Sequence, residues 1–469
     1  MDSDEIPAWP ATAAGAGSRR EGCSRALKNR PLHRGLAISE PLIIPRAEHG
    51  ISRRQISDSA LKVLYRLNQA GYRGCLVGGG VRDLLLGVQP KDFDVATDAS
   101  PEEIRELFSN SRLIGRRFRL AHVRFGREII EVSTFRADMS GDESPDEEDD
   151  RRAMDDAGRI LRDNVYGSIE EDARRRDFTV NALYYDIADF GIHDYVGGMA
   201  DIEQRQLRLM GDPETRYRED PVRMLRALRI AAKLDLEIEP ATLDPIPRMA
   251  GLLADVPAAR MFDEVLKALM NPDGPAAFET VYEYGLLDVL FPATGAALKH
   301  DSAGLMIIRR AIANTAQRIR DDRPVTPAFL YAAFLWPGVQ ALAARFQEEG
   351  RPPAQALAMA QRDILVEQVQ RVSLPKRFAV PMREIWQLQP RFHKQRGKQP
   401  ARLMSHPRFR AAYDFLLLRA EAGEVDQATA DFWTQAQEAT DSPAPAPSRP
   451  GSAGRRRRRR RRGGQGGGG

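Results

Sequence analysis

The stretch LVGGGVRDLLLGVQPKDFDVAT, Leu76 to Thr97, decides how this chain is read. A short apolar strand, Cys75 to Val77, runs into a glycine triplet, Gly78 to Gly80. An apolar helical turn carrying Arg82 and Asp83 follows, then a break at Gly87 and Pro90. The stretch ends on an alternating run in which Asp92 and Asp94 flank Phe93. Residues i and i+2 of a strand share a face, so the two carboxylates can reach one point. Two carboxylates there repel unless a cation sits between them, and Mg²⁺ takes oxygen ligands. A two-metal site holds its ions about 3.5–4 Å apart. A glycine turn at a helix start presents backbone N–H groups to an anion, which makes Gly78 and Gly79 candidates for a nucleotide's phosphates. An Asp-x-Asp alone is more simply a solvated acid pair. The ordered series of strand, glycines, helix and two acids is more specific and implies nucleotidyl transfer, with Asp92 and Asp94 as ligands for two Mg²⁺.

Around this stretch, 469 residues are enough for two to four domains and a sizeable core. No apolar run reads as long enough to span a membrane, and the acidic opening MDSDEIP does not read as a signal sequence. Two cysteines, Cys23 and Cys75, make a disulfide framework unexpected and point to a reducing, cytoplasmic setting. The net charge of +4 is regional: Arg455 to Arg462 supply eight positive charges, so the remainder carries 4 − 8 = −4. Such placement suggests a polyanionic partner met by particular segments.

In chain order, residues 1–50 lack periodicity and are expected to be disordered. Ser57 to Ala70 reads as an amphipathic helix with Leu61, Val63, Leu64 and Leu67 inward. Ser100, Pro101 and Glu103 make a capping box for a helix running to about Asn110. Ala121–Phe125 and Glu128–Thr134 read as a hairpin across Gly126-Arg127. The acidic stretch 141–156 is read as a solvated loop. The expected architecture is α+β: a head over 51–195 with a small mixed sheet and helices, a helical neck over 196–275 and a helical body over 276–437. Residues 438–469, a Pro/Ala linker and an arginine tail, are expected to be disordered.

Three further stretches carry chemistry. EEDARRRDFTVNALYY, Glu170 to Tyr185, sets three arginines beside Asp172 and Asp177. Arginines hold triphosphate oxygens through forked, charge-assisted bonds, unless the segment is merely a charged helix surface. Asp177 could take a ribose hydroxyl, complete a metal site or fix an arginine. In YREDPVRMLRALRI, Asp220 and Arg223 are three apart and neighbours on a helical face. The plain reading is a surface salt bridge. The functional one is an acceptor and donor reading a base edge, which suits adenine and cytosine and rejects uracil and guanine. Arg226 and Arg229 extend the basic face as candidates for touching triphosphate or RNA, with Arg226 counted among the nucleotide-binding residues. Arg371 to Arg419 holds twelve basic residues and two acids, with Phe378, Trp386, Phe392, Phe409 and Tyr413 interleaved. Basic side chains bind phosphates and aromatics stack on bases, so Lys394, Arg396, Lys398 and Arg402 are RNA-contact candidates. The alternative is that the aromatics are core.

Together these motifs resemble the class II nucleotidyltransferases of the DNA polymerase beta superfamily, the CCA-adding tRNA nucleotidyltransferases and bacterial poly(A) polymerases. The resemblance covers about residues 44–415. It implies a polymerase-beta-like head and makes Arg176, Asp177 and Asn181 nucleotide contacts. It also implies that ATP lies on the glycine turn, Arg82 and Arg176. A third catalytic carboxylate is Asp177, with Glu131, on a strand beside Asp92 and Asp94, as rival. LIGRRFRLAHV, Leu113 to Val123, resembles the segment by which poly(A) polymerases differ from bacterial CCA-adding enzymes. Arg116, Arg117 and Arg119 are then RNA contacts, while His122 reads as a packed or surface histidine. The expected partners are ATP, RNA 3′ ends and, through the arginine tail, an RNA-decay assembly; oligomeric state is left open. CCA addition to tRNA and an inactive RNA-binding protein are the competing readings.

Overall fold

The computed structural model describes residues 40–115, 119–137, 152–154, 160–163 and 165–441. The acidic stretch 141–156 lies almost wholly outside the described residues, as do the arginine tail, Arg116 and Arg117.

Among the described residues, ten strands and four α-helices build the head: β1 (Leu42–Ile44), α1 (Asp58–Gln69), β2 (Gly74–Val77), α2 (Gly79–Leu85), β3 (Asp94–Thr97), α3 (Pro101–Leu107), β4 (Ser111–Ile114), β5 (Leu120–Phe125), β6 (Glu128–Thr134), β7 (Arg152–Met154), β8 (Ile160–Asp163), α4 (Ile169–Arg175), β9 (Leu183–Asp186) and β10 (Ile192–Asp194). Eight of these strands form one mixed sheet in the order β1-β10-β9-β2-β3-β6-β5-β4, and β7 pairs with β8. The pairings described in the large sheet are antiparallel except β3 with β6, between which the chain runs through α3, β4 and β5.

Local chemistry explains these elements. Ser57 caps α1 by accepting from Ala60 N, and Val63, Leu64 and Leu67 are buried, with Leu61 half-buried. Ser100 and Glu103 close the expected capping box, with Pro101 in the first helical position. That helix stops at Leu107 rather than near Asn110, because Phe108 turns extended and buries its ring. Gly126, at φ +61°, turns the hairpin between β5 and β6.

On one face of the sheet Ala121, Val123, Ile130 and Val132 are buried beneath α1 and α3. On the other face, Ile169 and Ala173 of α4 pack with Cys75, Val77, Ala96, Phe135 and Tyr184. This second face carries Asp94.

Helices follow: α5 (Gly198–Gln204), α6 (Pro213–Glu219), α7 (Val222–Leu234), α8 (Pro240–Leu243), α9 (Ile246–Met249), α10 (Ala258–Leu269), α11 (Gly274–Glu283), α12 (Leu286–Leu290), α13 (Pro292–Leu298), α14 (Ser302–Arg320), α15 (Pro327–Glu348), α16 (Pro353–Arg371), α17 (Lys376–Leu388), α18 (Gln399–Met404), α19 (Phe409–Glu421) and α20 (Gln427–Asp441).

Several expectations are corrected. Part of the segment expected to be disordered is a strand: Leu42–Ile44 pairs with Ile192–Asp194 because its apolar run completes the sheet edge. At the other end, α20 carries helix past residue 438. The chain divides into two compact units at Met382/Arg383, and within the first α7, α10, α11, α14, α15 and α16 pack in succession. The expectation that no apolar run reaches membrane-span length is corrected as well. By composition α15 is long and apolar enough, and it continues through Pro337. Yet 72% of its apolar window is buried, against α13, α14 and α16.

The second unit has its own core, in which Phe392, Phe409, Tyr413 and Trp433 pack together and Trp433 Nε1 donates to Phe392 O at 2.9 Å.

Candidate active site

Strand register assembles the site. β2 ends at Val77, opposite Asp94 on β3, and Asp94 stands opposite Glu131 on β6. Gly78 follows with φ +69°, a conformation costly for any residue with a Cβ. A Cβ there would lie 3.7 Å from Arg176 Nη1 and 3.8 Å from Asp94 Oδ2, so the turn, a guanidinium and a carboxylate converge within one van der Waals shell.

Asp92 precedes β3 and is exposed, while Phe93 between the two acids is buried, as alternation predicts. Burial, then the charges of Glu131 and Asp92, push the Asp94 carboxyl up to about 6, against a smaller downward pull from Arg176. Glu131 is half-exposed and accepts from His122 Nε2 at 3.1 Å across the β5–β6 pair.

Arg176 ends α4 and, among the described residues, is anchored through Nε and Nη2. Its Nε donates to Tyr184 Oη at 2.8 Å and its Nη2 to Asp172 Oδ2 at 2.8 Å. Tyr184 donates to the same carboxylate oxygen at 2.7 Å. Burial opposes ionisation of Asp172, but Arg176 and the Tyr184 hydroxyl outweigh it and hold the carboxyl below its ordinary range. Nη1 takes no part in these bonds and is the atom nearest Gly78. Arg216 secures the same corner from α6 by donating to the carbonyls of Arg175 and Arg176 at 2.7 and 2.6 Å. Burial, then the neighbouring Arg223, push the Arg216 guanidinium down to about 10.

A chain of polar contacts runs beside this corner. Lys233 Nζ donates to Asp83 Oδ2 at 2.7 Å, and Arg82 Nε donates to Asp83 Oδ1 at 2.9 Å. Arg82 Nη1 donates to Asn181 Oδ1 at 2.6 Å, and Asn181 Nδ2 to Asp177 Oδ1 at 2.9 Å. Arg82 and Asn181, expected to touch nucleotide directly, are buried, and their polar atoms are largely committed to protein.

Asp177 is held by protein groups as well. Its Oδ1 caps Phe178 N at 2.8 Å besides holding Asn181. Arg226 Nη2 lies 2.6 Å from Oδ2, but the pair is out of line for a hydrogen bond, so buried Oδ2 keeps an unused acceptor position. The carboxyl is held below its ordinary range because Arg226 and these donors overcome the cost of burial. Beside Asp94 the strand register sets Glu131 of β6, the rival third carboxylate.

Asp220 and Arg223 lie at the α6–α7 junction but do not pair with each other as an isolated surface bridge would. Arg260 of α10 grips both Asp220 oxygens at 2.8 and 2.7 Å. Arg223 donates to Arg216 O at 2.7 Å and Glu219 Oε2 at 2.8 Å. Arg119 forms a surface ion pair with Glu102 at 2.9 Å. In the second unit, Lys394, Arg396, Lys398 and Arg402 are exposed or half-exposed, as RNA contacts require, whereas Trp386, Phe392, Phe409 and Tyr413 are core and not placed for stacking on bases. Asp172, Tyr184, Arg216, Lys233 and Arg260 escape a sequence reading as site residues; only the packing of distant segments shows what they hold.

Three family models match the chain: "Poly A polymerase head domain" over residues 75–208, "Probable RNA and SrmB- binding site of polymerase A" over 235–298, and "Polymerase A arginine-rich C-terminus" over 349–464. Poly(A) polymerase I of Salmonella typhimurium is 51% identical over 422 residues, covering 88% of this chain and 90% of that protein. Poly(A) polymerase I of Escherichia coli O157:H7 is 52% identical over 404 residues, covering 85% and 86%. A CCA-adding enzyme of Lactobacillus johnsonii is 35% identical over 234 residues, covering 50% and 55%. Among solved structures, the Bacillus stearothermophilus CCA-adding enzyme in complex with CTP superposes with a TM-score of 0.52 at 25% identity, covering 81% of this chain and 80% of that one.

Proposed function

The chain belongs to the poly(A) polymerase I family, and we propose that its head works as a template-independent polynucleotide adenylyltransferase, adding AMP from ATP to RNA 3′ ends. Long, near-complete matches to poly(A) polymerases, against half-length matches to CCA-adding enzymes, favour polyadenylation over CCA addition. An inactive RNA-binding role is disfavoured because the site's geometry is intact. The observation that carries the mechanism is the convergence of Gly78, Asp94 Oδ2 and Arg176 Nη1.

In this reading the triphosphate lies against the Gly78-Gly79 turn, with the spare Nη1 edge of Arg176 as its guanidinium contact. Arg82 and Asn181 hold the turn and Asp177 in place rather than touching ATP. The unused Asp177 Oδ2 suits a ribose hydroxyl, and Arg226 keeps that carboxylate ionised. Arg223 faces the base, with Asp220 fixed by Arg260 beside it.

Asp92 and Asp94 would hold two Mg²⁺, with Glu131 as third carboxylate. The fit rests on the donor set: Asp94 stands opposite Glu131 with Asp92 two residues away, and burial first, then Glu131, pushes the Asp94 carboxyl toward protonation, which a cation there relieves. Among the described residues no three such side chains already form a closed cage, and Glu131 is turned toward His122. Bound there, the ions would supply a more acidic 3′-hydroxyl and charge stabilisation for the pyrophosphate leaving group. The protein's share is to hold the hydroxyl and α-phosphate in line.

Lys394, Arg396, Lys398 and Arg402 are read as phosphate contacts for the RNA body. The arginine tail is read as a salt-sensitive RNA arm or a dock for decay machinery. Cysteine usage supports a cytoplasmic setting. The deciding experiment gives each labelled NTP separately to the purified chain with Mg²⁺, on an unstructured RNA or a tRNA lacking its CCA end. A long ladder from ATP on the unstructured RNA is expected. Addition of a few C and A residues on tRNA alone would replace this reading with CCA addition.

A further inference from the structure

The sheet face bearing Asp94 is covered on one side of β3 and open on the other. Toward β2 and β9 it is filled by α4 and Tyr184. Toward β6, β5 and β4 the residues of this face are exposed or half-exposed: Glu131 and Ile129 on β6, His122 and Arg124 on β5, Arg112 on β4. Register keeps them on one face, since Asp94 pairs with Glu131, Glu131 and Ile129 with His122 and Arg124, and His122 with Arg112. The acids lie at the inner end of this strip. At the outer end, neither Arg112 nor Arg124 has an acidic side-chain partner among the described residues. Between the two ends Ile129 leaves 38% of its surface in solvent.

Charged residues on an edge strand can serve only to discourage strand pairing. That accounts for Arg112 on edge strand β4. It does not account for Arg124 on an interior strand, or for an exposed isoleucine beside the catalytic row. The geometry of transfer does. In-line displacement places the leaving group and the attacking hydroxyl on opposite sides of the α-phosphate. If the triphosphate sits at Gly78 and Arg176, on the β2 side of Asp94, the hydroxyl must arrive from the β6 side. We infer that the last nucleotides of the RNA lie across the open face of β6, β5 and β4, with backbone phosphates on Arg124 and Arg112 and a sugar or base over Ile129. Arg112 stands three strands from Asp94, about 14 Å at the usual strand spacing, within reach of the terminal nucleotides. This rests on the polyadenylation reading and adds to it the path of the primer.

The test is the double variant Arg112→Glu/Arg124→Glu of the full chain, assayed on an unstructured oligoribonucleotide over a salt series. The KM for RNA should rise roughly tenfold or more. The log–log slope of its salt dependence should fall by about 1.4, about 0.7 for each of the two phosphates that the variant no longer neutralises. The KM for ATP and the melting temperature should not move. A photoreactive base near the primer's 3′ end should crosslink to wild-type residues 110–131. An unchanged KM for RNA in the variant, or crosslinks confined elsewhere, overturns the track while AMP addition by the wild type leaves polyadenylation standing. A wild type that adds no AMP to any RNA overturns the underlying reading instead.

Discussion

Asp94 and Glu131 are register partners on the parallel strand pair of the large sheet, so two carboxylates from segments 37 positions apart in sequence face the same solvent. The cost of that arrangement falls on Asp94, the more buried of the two.

Asp94→Asn should therefore separate stability from activity. Its carboxyl is raised to about 6 from an ordinary value near 3.8, so the folded state binds the proton more tightly than the unfolded one. The sign follows: stability is favoured at low pH and declines as pH rises from about 4 through 6. At neutral pH without Mg²⁺ the variant should be more stable than wild type by about 1–3 kcal/mol, while transferring no AMP. Melting curves in chelator and in Mg²⁺ check this; Mg²⁺ should raise the wild type and leave the variant unmoved. A variant that melts lower than wild type in chelator would refute the charge-crowding argument.

Replacing Glu131 and Asp177 should give different kinetic signatures. Glu131→Gln should lower kcat by roughly 10²-fold or more with little change in KM for ATP, as expected for a group acting on the reacting atoms. Asp177→Asn should chiefly raise the KM for ATP and narrow the preference for ATP over dATP, since the buried acceptor is weakened. Steady-state kinetics with both nucleotides distinguish them. The same kcat collapse from Asp177→Asn, with KM unmoved, would restore it as the third carboxylate.

Tyr184→Phe probes how Arg176 is held. The hydroxyl both donates to Asp172 and accepts from Arg176 in a fully buried setting, so its removal should cost about 1–3 kcal/mol. The KM for ATP should rise several-fold as Nη1 loses its aim, with kcat less affected. Denaturant titration and ATP kinetics on one preparation test both halves. Unaltered ATP kinetics would remove Arg176 anchoring from the account.

Lys233→Ala leaves Asp83 buried with Arg82 as its remaining cationic partner. Lys233 is about one-third exposed, so solvent takes up part of the deficit and about 1–2 kcal/mol is expected rather than the full cost of breaking a buried pair. Lys233→Arg should recover most of it. Equal stability of Lys233→Ala and wild type would show that Asp83 needs Arg82 alone.

The glycine turn, the Asp92/Asp94 alternation and the capping box at Ser100 are legible in sequence because each is settled by neighbours within a few positions. What the polar groups do is less so. Arg82 and Asn181 have the residue types of a phosphate site and equally those of a strut. Which they are depends on Asp83 and Asp177 being close enough to occupy them. Lys233 lies 150 positions from Asp83 and Arg260 lies 40 from Asp220, and nothing local announces either pair. In the basic region after Arg371 the charges declare their exposure in the sequence but the rings do not, because an aromatic at helical spacing looks the same whether it faces RNA or a core.

The long apolar helix α15 has a bearing on biosynthesis. Its 18-residue window carries hardly any charge, and part of its cover is α16, which leaves the ribosome after it. Until residues 353–371 emerge, the nascent chain displays a greasy surface that chaperones or a membrane could capture. Fragments ending before Pro353 are thus expected to aggregate even though they retain every catalytic group, and useful truncations must end beyond Arg371.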